Sequence, residues 1–179
     1  RAAGVACKTI PGVGELLSGR VLAGQIRNVA IGDLLGREPV WIEDGRIRSA
    51  IAGRSVLITG AGGSIGSELC RQVAGFDPRA LVILDQAESE LFKIDRELRD
   101  KFASLHVVAQ IGDIRDPERV EEVIGRYAVD SIFHAAAYKH VPMMEANPGE
   151  AIKNNVFGTK KLADAADRSG VELFVMVST

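Results

Sequence analysis

Cysteine is scarce in this chain: Cys7 and Cys70 are the two among 179 residues. They lie far apart and match no metal-ligand spacing, which speaks against a disulfide scaffold or a zinc module and fits a reduced, cytoplasm-facing protein. An excess of charge of either sign is missing too. With 22 Lys and Arg against 24 Asp and Glu, the formal net charge is −2, so neither nucleic acid nor an anionic membrane is an expected partner. No apolar run approaches the roughly 18 residues of a membrane span. An initiator Met and a signal-peptide pattern are also absent, so the chain reads as a piece of something longer. Its final stretch, Phe174-Val175-Met176-Val177-Ser178-Thr179, reads as a strand that stops where a loop should begin. What is present is ordinary globular material, 46% hydrophobic and 26% charged, which suffices for one domain with a sizeable core.

Two parts differ in character. Residues 1–53 are punctuated every few positions by glycine and Pro11. Val40-Trp41-Ile42 suggests an edge strand and Asp44-Gly45 a tight turn, and we expect this part to be a connector that ends a preceding domain and packs on residues 54–179. Residues 54–179 alternate apolar strands with amphipathic helices. Strands are predicted at Ser55–Thr59, Leu81–Asp85, Leu105–Gln110, Ser131–Ala135 and Glu172–Ser178. Between them lie a helix over Ser64–Gly75, one carrying Ala87, Leu91, Ile94, Leu98 and Phe102, and one opened by Asp116-Pro117. A long fourth helix runs from Asn147-Pro148 to Gly170. Repeated strand–helix–strand units predict an α/β, Rossmann-type parallel sheet covered on both faces, in strand order 3-2-1-4-5.

The chemistry sits at the carboxyl ends of those strands. Thr59-Gly60-Ala61-Gly62-Gly63-Ser64-Ile65-Gly66 lies between a strand and a helix, the context that makes a glycine pattern specific for a dinucleotide. Gly60 permits the turn, Gly63 lets backbone approach a pyrophosphate, and Gly66 lets the helix pack on the strand. The N–H groups around Gly62, Ser64 and Ile65 and the helix dipole then favour the anion. Asp85 stands 19 residues after Gly66 and closes the second strand. A carboxylate there accepts from both ribose hydroxyls of an adenosine, repels a 2′-phosphate and so selects NAD over NADP; it can equally begin the next helix. Asp113 and Ile114 suit an adenine edge and face, or a plain turn. Ala135, Ala136 and Ala137 permit close approach of a flat ligand, or simply pack tightly. Tyr138, Lys139 and His140 come next at the same edge and are candidates to line a site, whereas Met143 and Met144 extend this loop as packing. Asn154 and Asn155 stand inside the long helix, where Asn is unfavourable, so one of them could face the site and hydrogen-bond backbone or water; for Asn154 the plain alternative is a solvent-facing side chain. Ser178 and Thr179 offer hydroxyls that either bind a substrate or developing oxyanion or only end a strand.

These residues also carry a resemblance. Val56–Leu69 resembles the extended short-chain dehydrogenase/reductases, and His134-Ala135-Ala136-Ala137-Tyr138-Lys139-His140-Val141-Pro142-Met143-Met144-Glu145 is similar to the CapD-type polysaccharide biosynthesis proteins, nucleotide-sugar 4,6-dehydratases. Asn155-Val156-Phe157-Gly158-Thr159, Val177-Ser178-Thr179 and the upstream 33–40 segment agree. The resemblance implies tightly bound NAD, a UDP-linked N-acetylhexosamine substrate and a homo-oligomeric, membrane-associated parent. Hydride leaves sugar C4, water is lost across C5–C6, and hydride returns to C6. It implies that Asn155, Lys139 and Ser178 belong to the cofactor site and that Thr179 is the catalytic threonine that hydrogen-bonds the sugar. The family's acid/base residues fall just beyond Thr179, so this stretch by itself is expected to be inactive. An epimerase of the same superfamily and a non-catalytic NAD-binding module are the alternatives.

Overall fold

The computed structural model describes residues 8–9, 27–28 and 44–178. The chain divides into two compact units, Arg1–Ile42 and Glu43–Thr179. In the first, Lys8–Thr9 pairs antiparallel with Arg27–Asn28. The strand suggested at Val40-Trp41-Ile42 lies outside the described residues.

The second unit opens with a helix, α1 (Asp44–Ile51), where Asp44-Gly45 suggested a turn. Ile47 and Ile51, one helical turn apart, both pack on the apolar core, and that stripe outweighs a turn-favouring dipeptide. The strands are β1 (Ser55–Thr59), β2 (Ala80–Asp85), β3 (Val107–Ile111), β4 (Ser131–His134) and β5 (Leu173–Met176). All neighbours are parallel and the order is β3-β2-β1-β4-β5, the predicted doubly wound arrangement. The order reverses between β1 and β4, and a crevice opens there at the carboxyl ends.

Alternation along β1 divides the core. Val56 and Ile58 face α1, α2 (Ser64–Ala74) and α3 (Glu88–Lys101), joining Cys70, Val73, Leu91, Ile94 and Leu98. Leu57 faces the opposite way, toward α4 (Pro117–Arg126) and the later helices, joining Val120, Ile124, Leu162 and Ala165. Burial of each large aliphatic side chain stabilises by about 1.5–3 kcal/mol. Asp116 caps α4 as its spacing predicts, accepting from the Arg119 N–H at 3.1 Å ahead of Pro117.

Two local features differ from the expectation. Residues 141–146, read as loop, form α5 (Val141–Ala146) with Pro142 in its first turn. The long helix has three parts: α6 (Pro148–Ala151), a π-helical segment (Ile152–Gly158) and α7 (Thr159–Arg168). It closes as predicted, with Gly170 at φ 70° just past its end.

Candidate functional site

At the mouth of the crevice, β1 passes into its loop through Gly60, which has φ 71°. Gly60 and Ala61 donate their N–H groups to the Leu84 carbonyl, at 2.9 and 3.3 Å, so the loop is strapped to β2. A Cβ on Gly60 would lie 2.6 Å from backbone atoms of Ala135 and Ala136, and one on Gly66 would lie 1.9 Å from the Gly60 carbonyl oxygen. Both positions therefore exclude every other residue. The loop enters α2 with no side-chain cap and no acidic residue in its first turn. Ser64 and Ile65 are exposed there, so the helix end presents backbone N–H groups and positive dipole beside the bare glycine loop.

Asp85 does more than either sequence reading assumes. Its Oδ2 accepts from the Gly62 N–H at 2.8 Å and its Oδ1 from the Ala87 N–H at 2.9 Å. It fixes the glycine loop and the approach to α3 at once. Each oxygen retains lone-pair capacity, and Asp85 lines the crevice together with Gln86.

After β3, Asp113 is gripped by Arg115. The Arg115 backbone N–H donates to Asp113 Oδ1 at 2.8 Å, and Nε and Nη2 reach Oδ2 at 2.8 and 2.6 Å. Hydrogen bonds from the guanidinium hold the Asp113 carboxyl below its ordinary range. Ile114 is buried and packs closely on Gly158 of the π segment, so a face of the crevice is apolar.

On the far side, β4 ends at His134, a residue to which the sequence assigned no separate role. Its Nδ1 lies 2.7 Å from Thr59 Oγ1 and its Nε2 lies 2.9 Å from Thr159 Oγ1. Burial pushes its pKa down to about 4, so the ring is neutral at neutral pH. The next residues, Ala135, Ala136 and Ala137, line the crevice with Tyr138.

Two amides hold that strip. Asn155 accepts from the Tyr138 N–H at 2.9 Å and donates to the Tyr138 carbonyl at 2.8 Å. Asn154 donates to the Ala136 carbonyl at 3.2 Å and to Asn155 Oδ1 at 2.9 Å. Asn154 is thus buried rather than solvent-facing, because the wider π turn lets successive side chains serve one target. Asn155 commits both ends of its amide to Tyr138 and acts on the crevice through that loop.

The crevice therefore gathers Gly60, Gly63, Asp85, Asp113, Ile114 and the three alanines. Gly62, Ser64, Ile65 and Gly66 continue the loop beside it into α2. Asn155 stands behind its wall, and Lys139 and Ser178 are exposed and line no part of it. Thr179 lies outside the described residues. Sequence reasoning left Asn154 open and missed Arg115; the signal for the first was an Asn pair inside a helix, for the second the spacing Asp-Ile-Arg. Among the described residues no three His, Cys, Asp or Glu side chains gather to hold a metal, and no helix is long and apolar enough to cross a membrane.

A family model described as polysaccharide biosynthesis protein matches residues 56–179. The chain is 46% identical over 178 residues to the Bacillus subtilis protein named “Probable polysaccharide biosynthesis protein EpsC”, covering 98% of this chain and 30% of that protein. It is 36% identical over 128 residues to a Campylobacter jejuni UDP-N-acetylglucosamine 4,6-dehydratase (inverting), covering 71% of this chain and 36% of that enzyme. Among solved structures, a UDP-glucose 4-epimerase from Stenotrophomonas maltophila, with bound NAD and formylated UDP-arabinopyranose, superposes with a TM-score of 0.64 at 28% identity. That match covers 70% of this chain and 37% of the other. The chain thus spans about a third of the length of these relatives.

Proposed function

The chain belongs to the polysaccharide biosynthesis protein family, and from that premise we propose that it is the NAD-binding part of a nucleotide-sugar 4,6-dehydratase serving surface-glycan biosynthesis. The observation that carries the cofactor reading is the Gly60–Gly66 loop. It is rich in glycine, too tight for any Cβ at two positions, and tied by the Gly62 N–H to an acidic residue at the end of β2.

The residues present fit the cofactor. The loop backbone and the uncapped start of α2 suit a pyrophosphate, since both offer N–H groups to an anion. Asp85 suits a ribose diol: its oxygens are already oriented by two backbone donors, and a further phosphate there would meet a fixed negative charge. Asp113 and Ile114 suit adenine, one as an acceptor and one as an apolar face. The Ala135–Ala137 strip leaves room for a flat ring near β4. When bound, NAD supplies a hydride acceptor and donor for the sugar carbons.

This chain's residues bind and orient that ring. His134, neutral and fixed between two hydroxyls, holds the floor beneath the strip. Asn155 holds the loop above it. Lys139 and Ser178, both exposed, and Thr179, next in the sequence, keep the roles that the resemblance implies, toward the nicotinamide half and the sugar. The 4,6-dehydratase reading rests on the C. jejuni relative, and a UDP-linked N-acetylhexosamine is the corresponding substrate.

Calorimetric titration tests the cofactor assignment. NAD is expected to bind, and Asp85→Ala to weaken it about tenfold or more while narrowing the preference over NADP. No binding at millimolar NAD overturns the reading. Unchanged relative affinities in Asp85→Ala overturn the ribose role. The reaction is tested on the longer parent, since this stretch by itself is expected to be inactive: a 4-keto-6-deoxy product from UDP-N-acetylglucosamine supports a dehydratase, and a 4-epimer without loss of water overturns it.

A further inference from the structure

We infer that Arg115 is a positioning residue that sets base specificity, by fixing the Asp113 carboxylate as an acceptor for the 6-amino group of adenine. The inference rests on the NAD reading and adds a residue that does not itself line the crevice. Asp113 and Ile114 line it; Arg115 does not. Arg115 instead grips Asp113 with its planar fork: Nε and Nη2 donate to Oδ2 at 2.8 and 2.6 Å, and Nε is shared with Oδ1 at 3.0 Å. Its backbone N–H takes Oδ1 at 2.8 Å. The carboxylate can then neither turn about its last bond nor move out of the wall.

Arg115 is itself held. Nη1 donates to Glu150 of α6 at 3.3 Å, and the Arg115 carbonyl accepts from Lys161 of α7 at 2.7 Å. The group that faces a ligand is therefore set by a frame drawn from the β3 loop and two helices. Two further charged groups surround the pair: Glu150 and Lys161 reach Arg115, and Lys161 also acts on Asp113.

An ionised carboxylate accepts and cannot donate. Facing the 6-position of a purine, it attracts an amino group and repels a carbonyl oxygen. A protonated carboxyl donates as well, and the distinction between the two bases fades. Near neutral pH the fork acts through orientation, since a carboxyl in its ordinary range is already ionised there; by favouring the charged state it also extends the discriminating form to lower pH. Lysine would bring a charge without the fork.

The test compares NAD with nicotinamide hypoxanthine dinucleotide, titrated calorimetrically into the full chain. Wild type is expected to prefer NAD by about tenfold or more. Arg115→Met reduces that preference to about twofold and shifts the acid limb of NAD binding to higher pH, as Asp113 returns toward its ordinary range. Asp113→Asn also reduces the preference, and adding Arg115→Met to it changes nothing more, because one residue acts through the other. Arg115→Lys retains the charge, keeps a folded comparison if Arg115→Met does not fold, and gives an intermediate preference.

Equal weakening of both dinucleotides by Arg115→Met overturns the inference, as do additive effects in the double variant. A wild-type preference in Arg115→Lys overturns the part assigned to the fork. If wild type binds neither dinucleotide, the NAD reading itself fails, which is a separate outcome from binding without discrimination.

Discussion

On one side of the crevice, Gly60 and Gly66 tolerate nothing larger than hydrogen, because backbone atoms fill the space at 2.6 and 1.9 Å from where a Cβ would stand. On the other, Ala136 and Tyr138 are held by the side chains of Asn154 and Asn155, and His134 spans two hydroxyls beneath them. Shape limits the first wall by exclusion, in addition to the backbone bonds that strap it to Leu84 and Asp85. Hydrogen bonds fix the second by attachment. A wall set by exclusion fails abruptly when anything is added, whereas an attached wall loosens by degrees as bonds are removed.

The largest effect expected from this contrast is that of Gly66→Ala. A methyl group driven into the Gly60 carbonyl should cost about 3 kcal/mol or more and abolish NAD binding, read by thermal unfolding and calorimetry. A folded, NAD-binding variant would break the contrast.

The attached wall should show its next largest weakness in acid. His134 has a folded pKa depressed from 6.5 to about 4 by burial. Both states are neutral above 6.5, so the full stability is present there. As pH falls, the unfolded chain takes up the proton first, and about 3 kcal/mol is lost by the time the folded ring titrates. Denaturant melts across that window check this. His134→Gln, which has no such titration, should flatten the decline.

Asp85→Ala removes an acceptor from Gly62 and Ala87, and about 2 kcal/mol of stability should go with it. Faster amide hydrogen exchange at Gly62 is the specific sign. Smallest is Asn155→Ala, expected to cost about 1 kcal/mol and to weaken NAD several-fold without abolishing it. If Asn155→Ala proved as damaging as Gly66→Ala, the two walls would not differ in kind.

The exclusion side was legible in the residues themselves. Glycines between an apolar strand and an amphipathic helix state their geometry, and buried strands of five or six residues state the sheet. Asp116-Pro117 announced α4 for the same reason: a cap is local. The attachment side was not legible, because its bonds join residues far apart. Asn155 meets Tyr138 across 17 positions and His134 meets Thr159 across 25. No local pattern distinguishes a π turn from an α turn, so Asn154 could not be told from a surface residue. Six residues of α5 are too few to display a periodic stripe, and its exposed Val141 and Met143 supply none. Arg115 escaped for a different reason. Its partner is two residues away, but a turn aspartate with an arginine close behind is common, and the grip becomes evident only with α6 and α7 in place.

Gly60 and Gly66 also carry a consequence for descent. At a position where a single amino acid fits, there is nothing for inheritance to try, so the cradle cannot be retuned residue by residue. Novelty in the chemistry served by this fold must be written where substitutions survive, among the amides and hydroxyls of the facing wall and in whatever sequence closes over it. The loop is a fixed socket, and its rigidity leaves the rest of the molecule free to change.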